Sequence, residues 1–326
     1  MNKVSVIFFG SFLHYSTKVA SALLDSPSID LLAVVTTEPK KAGRNKVLKN
    51  THTHLWANEN NIKVFTPSNL LKTSPKELNM PKPDFFLTAG YGNLLPSNWL
   101  NYPQHSSLNL HFSLLPDFKG ANPAEWAILL GERETGVSLI QMNSNFDSGN
   151  IVTRKSYPIG DDATRETLYE PLYDLAAQIA RETIPTCTKL SFTTPQEKSH
   201  KPEAKKFTRP DGFIDWQFIS HALMGKFPEN PTSLLSPNLK IAWKYLYDHP
   251  SESDGIITPE VFIQRATRAL HSFPGVWTHI PTKNGKKRLK ILQSSIDSGV
   301  LTLNQVQLEG KSPSTFNQIK NIISKS

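Results

Sequence analysis

The chain has 326 residues, 38% of them hydrophobic and 20% charged, and a formal net charge of +8. At about 150 residues per domain, this length predicts two domains and excludes one small module. The apolar content excludes a disordered tail protein, and the single cysteine, Cys187, excludes an internal disulfide framework or a thiolate zinc cluster and fits a reducing compartment.

The run at 4–9, V-S-V-I-F-F, follows one cation and lacks a small-residue cleavage site, so it reads as a first strand and not as a signal peptide. No uncharged apolar stretch approaches the roughly 18 residues that span a bilayer. With no Arg- and Ser-rich presequence, a soluble cytoplasmic protein is expected. Residues 31–35, 62–65, 85–88 and 107–110 are further short runs rich in β-branched or aromatic residues. Between them lie helical segments, marked by Val19, Leu23 and Leu24 and by residues 94–100. Alternating strand and helix requires crossover connections, so the first part is α/β with a mostly parallel, Rossmann-like sheet and helices on both faces. Asn122-Pro123 predicts the start of a helix over 124–130. Residues 137–141 and 151–157 read as two more strands. Leu168, Leu172, Leu175 and Ile179 mark a closing helix, with Pro171 a place for a kink.

Residues 190–206 lack apolar periodicity and contain two prolines, which predicts a linker between a first domain at 1–189 and a second at 207–326. In the second, Thr258-Pro259-Glu260 starts a helix carrying Phe262, Ile263, Ala266, Ala269 and Leu270, and short β-type runs follow at 276–280, 289–292 and 300–303. A smaller C-terminal β-barrel, open and OB-like, is the simplest account. The charge is uneven: +1 over residues 1–190 and +7 over residues 191–326. Cations cluster at Lys40, Lys41, Arg44, Lys46 and Lys49, at Lys201, Lys205, Lys206 and Arg209, and at Lys283, Lys286, Lys287, Arg288 and Lys290. Each cluster alone is consistent with a solvated loop, but three on one chain favour a polyphosphate partner such as RNA.

The richest stretch chemically is Asn109-Leu110-His111-Phe112-Ser113-Leu114-Leu115-Pro116. At a strand end, residues i and i+2 share a face, so Asn109 and His111 project together toward the carboxyl edge of the sheet, where open α/β sheets bind ligands. Asp147 lies in a polar, turn-forming loop after another strand. An amide, an imidazole and a carboxylate suit acyl transfer to an amine: the first two stabilise an oxyanion, and the carboxylate relays the amine proton. Each residue also has a structural reading. Asn109 serves equally as a turn cap, His111 as a hydrogen-bonded core side chain, and Asp147 as an Asx-turn over Ser148-Gly149. Spacing does not choose between the two.

The run N-L-H-F-S-L-L-P with its downstream Asp resembles the signature of the 10-formyltetrahydrofolate-dependent formyltransferases. The likeness continues in 83–96 (P-D-F-F-L-T-A-G-Y-G-N-L-L-P) and in 134–142 (E-T-G-V-S-L-I-Q-M). Residues 39–46 resemble the basic loop of the family's tRNA-acting members, and 269–278 and 306–313 resemble their C-terminal domain. The resemblance implies Asn109, His111 and Asp147 as the catalytic set, and 10-formyltetrahydrofolate as co-substrate with no metal. It places the folate pocket at Ser113, Leu114, Leu115 and Pro116 and at Gly90 and Tyr91. It further implies methionyl-initiator-tRNA as the partner, held by Lys40, Lys41, Arg44, Lys46, Lys49, Lys206, Lys286, Lys287 and Arg288, and a monomer. Acceptance of a small amine (glycinamide ribonucleotide or an amino-sugar nucleotide) is the alternative within the enzyme class, and a silent RNA-binding relative the alternative outside it. The chain departs from the family pattern at Gly10-Ser11-Phe12-Leu13-His14-Tyr15, at Asp117-Phe118-Lys119, at Asn143-Ser144-Asn145 and over 217–257.

Overall fold

The computed structural model describes residues 3–42, 47–187, 193–250, 255–283 and 285–323. The strands are β1 (Val4–Phe9), β2 (Ile29–Val35), β3 (Lys40–Ala42), β4 (Val47–Lys49), β5 (Val64–Phe65), β6 (Phe85–Thr88), β7 (Ser106–His111), β8 (Glu134–Gln141), β9 (Ile151–Pro158), β10 (Val276–Thr282), β11 (Gly285–Asp297) and β12 (Val300–Leu308). The main helices are α1 (Tyr15–Leu24), α2 (His52–Glu59), α3 (Ser97–Leu100), α4 (Pro123–Leu130), α5 (Arg165–Thr183), α6 (Trp216–Ala222), α7 (Pro237–Asp248) and α8 (Pro259–Ala269). By compactness the chain divides into one unit of residues 1–119, 135–158 and 169–199, and another of residues 120–134, 159–168 and 200–326. Two segments from within 1–189 therefore cluster with the C-terminal residues.

The first unit is built on a seven-stranded sheet in the order β5-β2-β1-β6-β7-β8-β9. The pairs β1–β2, β1–β6 and β6–β7 are parallel, whereas β7–β8 is antiparallel. β1 and β6 read as continuous apolar runs because both faces of a central parallel strand are covered. One face carries Ile7, Phe9, Ala33, Val35, Phe86 and Trp99 in a common core, with the Trp99 indole donating to the carbonyls of Leu70 and Thr73. The chain runs outward from β1 through β2 to β5, then restarts at β6 on the other side. Such a reversal opens a crevice at the carboxyl ends of β1 and β6. The loop after β1 closes onto the loop after β6: the Ser11 N–H donates to the Gly90 carbonyl at 3.2 Å and its hydroxyl to the Tyr91 carbonyl at 2.6 Å.

The helix expected over 94–100 is confined to Ser97–Leu100. Pro96 restricts Leu95 before it to extended backbone, and helix begins only after the proline. The strand expected at 62–65 is shortened to Val64–Phe65, since Asn61 takes a left-handed φ of 56° and the Ile62 N–H returns to the Ala57 carbonyl. The hairpin of β3 and β4 was not legible as strands, because its register pairs cations such as Lys40 and Lys49 and its Val47 and Leu48 are exposed.

In the second unit β10-β11-β12 form a three-stranded antiparallel sheet. Its edges are extended by single bridges from Phe213 to Trp277 and from Ser314 to Val306. The expected barrel thus takes the form of an open sheet among the described residues, and α8 buries Phe262, Ile263 and Ala266. α4 belongs to this unit: the Trp126 ring stacks on Phe207 at 5.4 Å and its indole donates to the Lys205 carbonyl. The atypical segment 217–257 supplies α7 and most of α6, which pack through edge-on rings: Phe218 on Trp243 at 5.2 Å and Trp243 on Phe262 at 5.1 Å. No helix among the described residues is long and apolar enough to cross a membrane.

Candidate active site

β6 and β7 end side by side, with Thr88 opposite Asn109 in the parallel register. Asn109 and His111 share a face of β7, as the two-residue spacing requires. The loop after β8 delivers Asp147 to them. Its Oδ1 accepts a hydrogen bond from Asn109 Nδ2 at 3.2 Å, and its Oδ2 lies 3.5 Å from His111 Nδ1. The His111 and Asp147 side chains are only 5% and 9% exposed, so both are largely withdrawn from water.

The other His111 nitrogen, Nε2, sits 2.9 Å from the Phe118 carbonyl oxygen. That oxygen only accepts, so Nε2 carries a hydrogen. Nδ1 then faces a carboxylate oxygen of Asp147. Both ring nitrogens are engaged, which leaves the second amide hydrogen of Asn109 as the side-chain donor of the three not already directed at a neighbour.

Local chemistry shapes the Asp147 loop. Asn143 Oδ1 accepts from the Asn145 N–H at 2.9 Å and the Ser148 hydroxyl at 3.1 Å, so the unusual Asn143-Ser144-Asn145 closes an Asx-type turn. Asp147 itself adopts a left-handed φ of 45°, which aspartate tolerates better than most residues. At Gly149 any Cβ would collide with the Gln141 carbonyl. The expected linker adds hydrogen bonds that sequence reasoning missed. Gln196 Nε2 donates to the carbonyls of Asp147 at 2.9 Å and Gly149 at 2.7 Å, and the Ser199 hydroxyl donates to Asp117 Oδ1 at 2.6 Å. Nothing in a polar, proline-containing segment signals such pinning, because its partners lie about 50 and 80 residues earlier in the chain.

The expected folate-side residues divide. The Tyr91 ring is buried in the core against Phe9 at 5.3 Å, and burial pushes its hydroxyl up to about 12, so the side chain packs and does not reach outward. Gly90 has φ 65° and is covered by Phe12 and Tyr173. The carbonyls of Ser113, Leu114 and Leu115 already accept from the Ser138 hydroxyl, the Asp117 N–H and Arg154. What stays open is the continuation of the β6 loop: Gly92 has free space around its Cα, and Leu94 is 63% exposed.

Of the expected RNA-binding residues, Lys40, Lys41, Lys49, Lys206, Lys286 and Arg288 are exposed, whereas Arg44 and Lys46 lie outside the described residues. In β11, Lys286, Arg288 and Lys290 share one face, opposite Pro281, His279 and Trp277 of β10. Lys287 points to the other face with buried Leu289 and Ile291. Among the described residues no group of three or more His, Cys, Asp or Glu is placed to hold a metal ion.

An amide, an imidazole and a carboxylate that meet at the carboxyl edge of an open α/β sheet, one strand from its switch point, are the layout of an α/β group-transfer enzyme. The chain belongs to the formyl transferase family, whose sequence pattern matches residues 2–184. It is 30% identical over 256 residues to the methionyl-tRNA formyltransferase of Listeria monocytogenes serotype 4a (strain HCC23), covering 76% of this chain and 81% of the relative. It is 28% identical over 294 residues to that of Staphylococcus epidermidis, covering 88% of this chain and 94% of the relative. Among solved structures, the methionyl-tRNA formyltransferase from Clostridium thermocellum shares the fold, with a TM-score of 0.51 at 15% identity over 94% of this chain and 98% of that one.

Proposed function

We propose that this enzyme transfers the formyl group of 10-formyltetrahydrofolate to the α-amino group of methionyl-initiator-tRNA. The observation that carries the chemistry is the meeting of Asn109, His111 and Asp147 across 38 residues of chain at the sheet edge. The extent and names of the curated relatives favour a tRNA substrate. When bound, 10-formyltetrahydrofolate supplies the carbonyl carbon that the amine attacks. The open stretch from Gly92 to Leu94 and the partly exposed Leu114 and Pro116 hold it, the latter two as an apolar wall.

Asn109 Nδ2 donates to the oxygen on which negative charge collects. His111, held through Nε2 by the Phe118 carbonyl with Nδ1 facing Asp147 Oδ2, stabilises the same oxygen through the polarity of its ring in a poorly solvated site, where electrostatic interactions act strongly. Asp147 Oδ2, facing His111 Nδ1, takes up the proton released by the amine; as the tetrahedral intermediate collapses, the bond between the formyl carbon and the folate N10 breaks and N10 takes up a proton, leaving tetrahydrofolate. Lys40, Lys41, Lys49 and, from the sequence, Arg44 and Lys46 hold the acceptor end. Lys206, Lys286 and Arg288, with Lys287 at the rim, bind phosphates. The protein works as a monomer in the bacterial cytoplasm, without a metal.

The test is formyl transfer assayed with charged initiator tRNA, charged elongator tRNA, glycinamide ribonucleotide and an amino-sugar nucleotide. Transfer to the initiator above all others is expected. Preference for a small amine overturns the tRNA reading, and no transfer to any acceptor overturns the enzyme reading.

A further inference from the structure

Asn109 carries the chemistry only if its amide faces the right way, and the site contains a device that decides this. A carboxamide can be flipped about its last torsion, exchanging NH2 and oxygen. Nδ2 must face Asp147 Oδ1, because the flipped amide would set its oxygen 3.2 Å from a carboxylate oxygen. Oδ1 then needs a donor of its own. The Thr88 hydroxyl supplies it at 2.5 Å. The Thr88 side chain is held beside Asn109 by the β6–β7 register and is 5% exposed, so water does not readily replace it. Its other polar-side neighbour is the Met142 sulfur at 3.8 Å, a weak acceptor that competes little for the single hydroxyl hydrogen.

We infer that Thr88 is a positioning residue: its hydroxyl fixes the orientation of the Asn109 amide and so aims the remaining amide hydrogen at the reacting oxygen. This rests on the role given to Asn109 above. A valine of the same shape at 88 leaves Asn109 Oδ1 without its Thr88 donor, so the amide is held at one end only, by the Nδ2 contact to Asp147, and its plane swings about that contact and misaims the remaining hydrogen. Misplacement of a catalytic donor on this scale costs about 10- to 100-fold in rate.

The experiment is a two-by-two comparison of kcat and KM in the full-length enzyme, with charged initiator tRNA and 10-formyltetrahydrofolate. The variants are Thr88→Val, Asn109→Ala and the two combined, with Thr88→Ser as the conservative control. Thr88→Val is expected to lower kcat about 10- to 100-fold with KM for tRNA unchanged, and Thr88→Ser to stay within about threefold of the parent. In the Asn109→Ala background, Thr88→Val is expected to cost nothing further, since the group it positions is gone. An equal loss in both backgrounds shows a packing role and overturns the inference, as does a fully active Thr88→Val. Full activity in Asn109→Ala alone overturns the reading of the site, separately from that of Thr88.

Discussion

The edge of the seven-stranded sheet and the basic face of β11 use charge in opposite ways. At the first, the polar side chains are tied to their surroundings: Asn109 to Thr88 and Asp147, His111 to Asp147 and the Phe118 carbonyl, and the Asp147 carbonyl to Gln196. At the second, Lys286 and Arg288 project into water on one face of a two-strand ladder. Transition-state stabilisation depends on direction and distance and gains from exclusion of water, so it is built from half-buried, mutually hydrogen-bonded groups. Attraction to a phosphate backbone acts over about a Debye length and tolerates several geometries, so it is built from solvated side chains on long stems. Single substitutions should therefore cut deeply at the first region and shallowly, in proportion to charge, at the second.

The largest effect tests the division of the chain itself. Residues 120–134 belong with 200–326, and Trp126 relies on Phe207 and the Lys205 carbonyl. A chain ending at residue 204 should lose solubility or cooperative melting. A folded, monomeric truncated protein by calorimetry and light scattering would show instead that the first 204 residues stand alone. Next come Asn109→Ala and Asp147→Asn, expected to lower turnover about 10²–10³-fold, or roughly 2.7–4 kcal/mol, with tRNA affinity unchanged. Near-parental turnover in both would remove the contrast between the two regions.

Gln196→Ala frees the Asp147 loop from two hydrogen bonds. It should lower kcat about tenfold, as expected for roughly 1–1.5 kcal/mol, without altering tRNA binding. An unchanged kcat would make the former linker a bystander. The smallest effects belong to β11. Arg288→Gln should weaken tRNA binding and reduce the slope of log affinity against log salt by about 0.9 for each phosphate that is no longer neutralised. Lys287→Gln, on the other face, should change that slope less. Equal slopes for the two would mean that the strand face does not select which cations reach the RNA.

The Asn109 and His111 pair was legible because alternation along a strand is a local rule, and the strand end was marked by its apolar run. Asp147 was legible through the motif, not through any local signal that it would cross 38 residues to meet Asn109. Thr88 and Gln196 were not legible. A threonine closing an apolar strand has good β propensity whatever its hydroxyl does, and a glutamine in a polar segment carries no period. The basic cluster at 286–290 was legible as composition, but its split into Lys286, Arg288 and Lys290 against Lys287 appeared only once strand pairing fixed which side faced the core.

The sequence by itself determined the α/β class, the succession of the strands that build the seven-stranded sheet, the apolar core of β1 and β6, and the residue types able to perform acyl transfer. These follow from periodicity, from proline and cap positions, and from chemical kind, all of which act within a few residues. Only the tertiary structure decided that α4 joins the C-terminal unit, that the supposed linker binds the Asp147 loop, and that the Thr88 hydroxyl faces the Asn109 amide. Those outcomes depend on buried polar groups finding partners far along the chain, and that pairing is set by packing in space and leaves no periodic trace in the sequence.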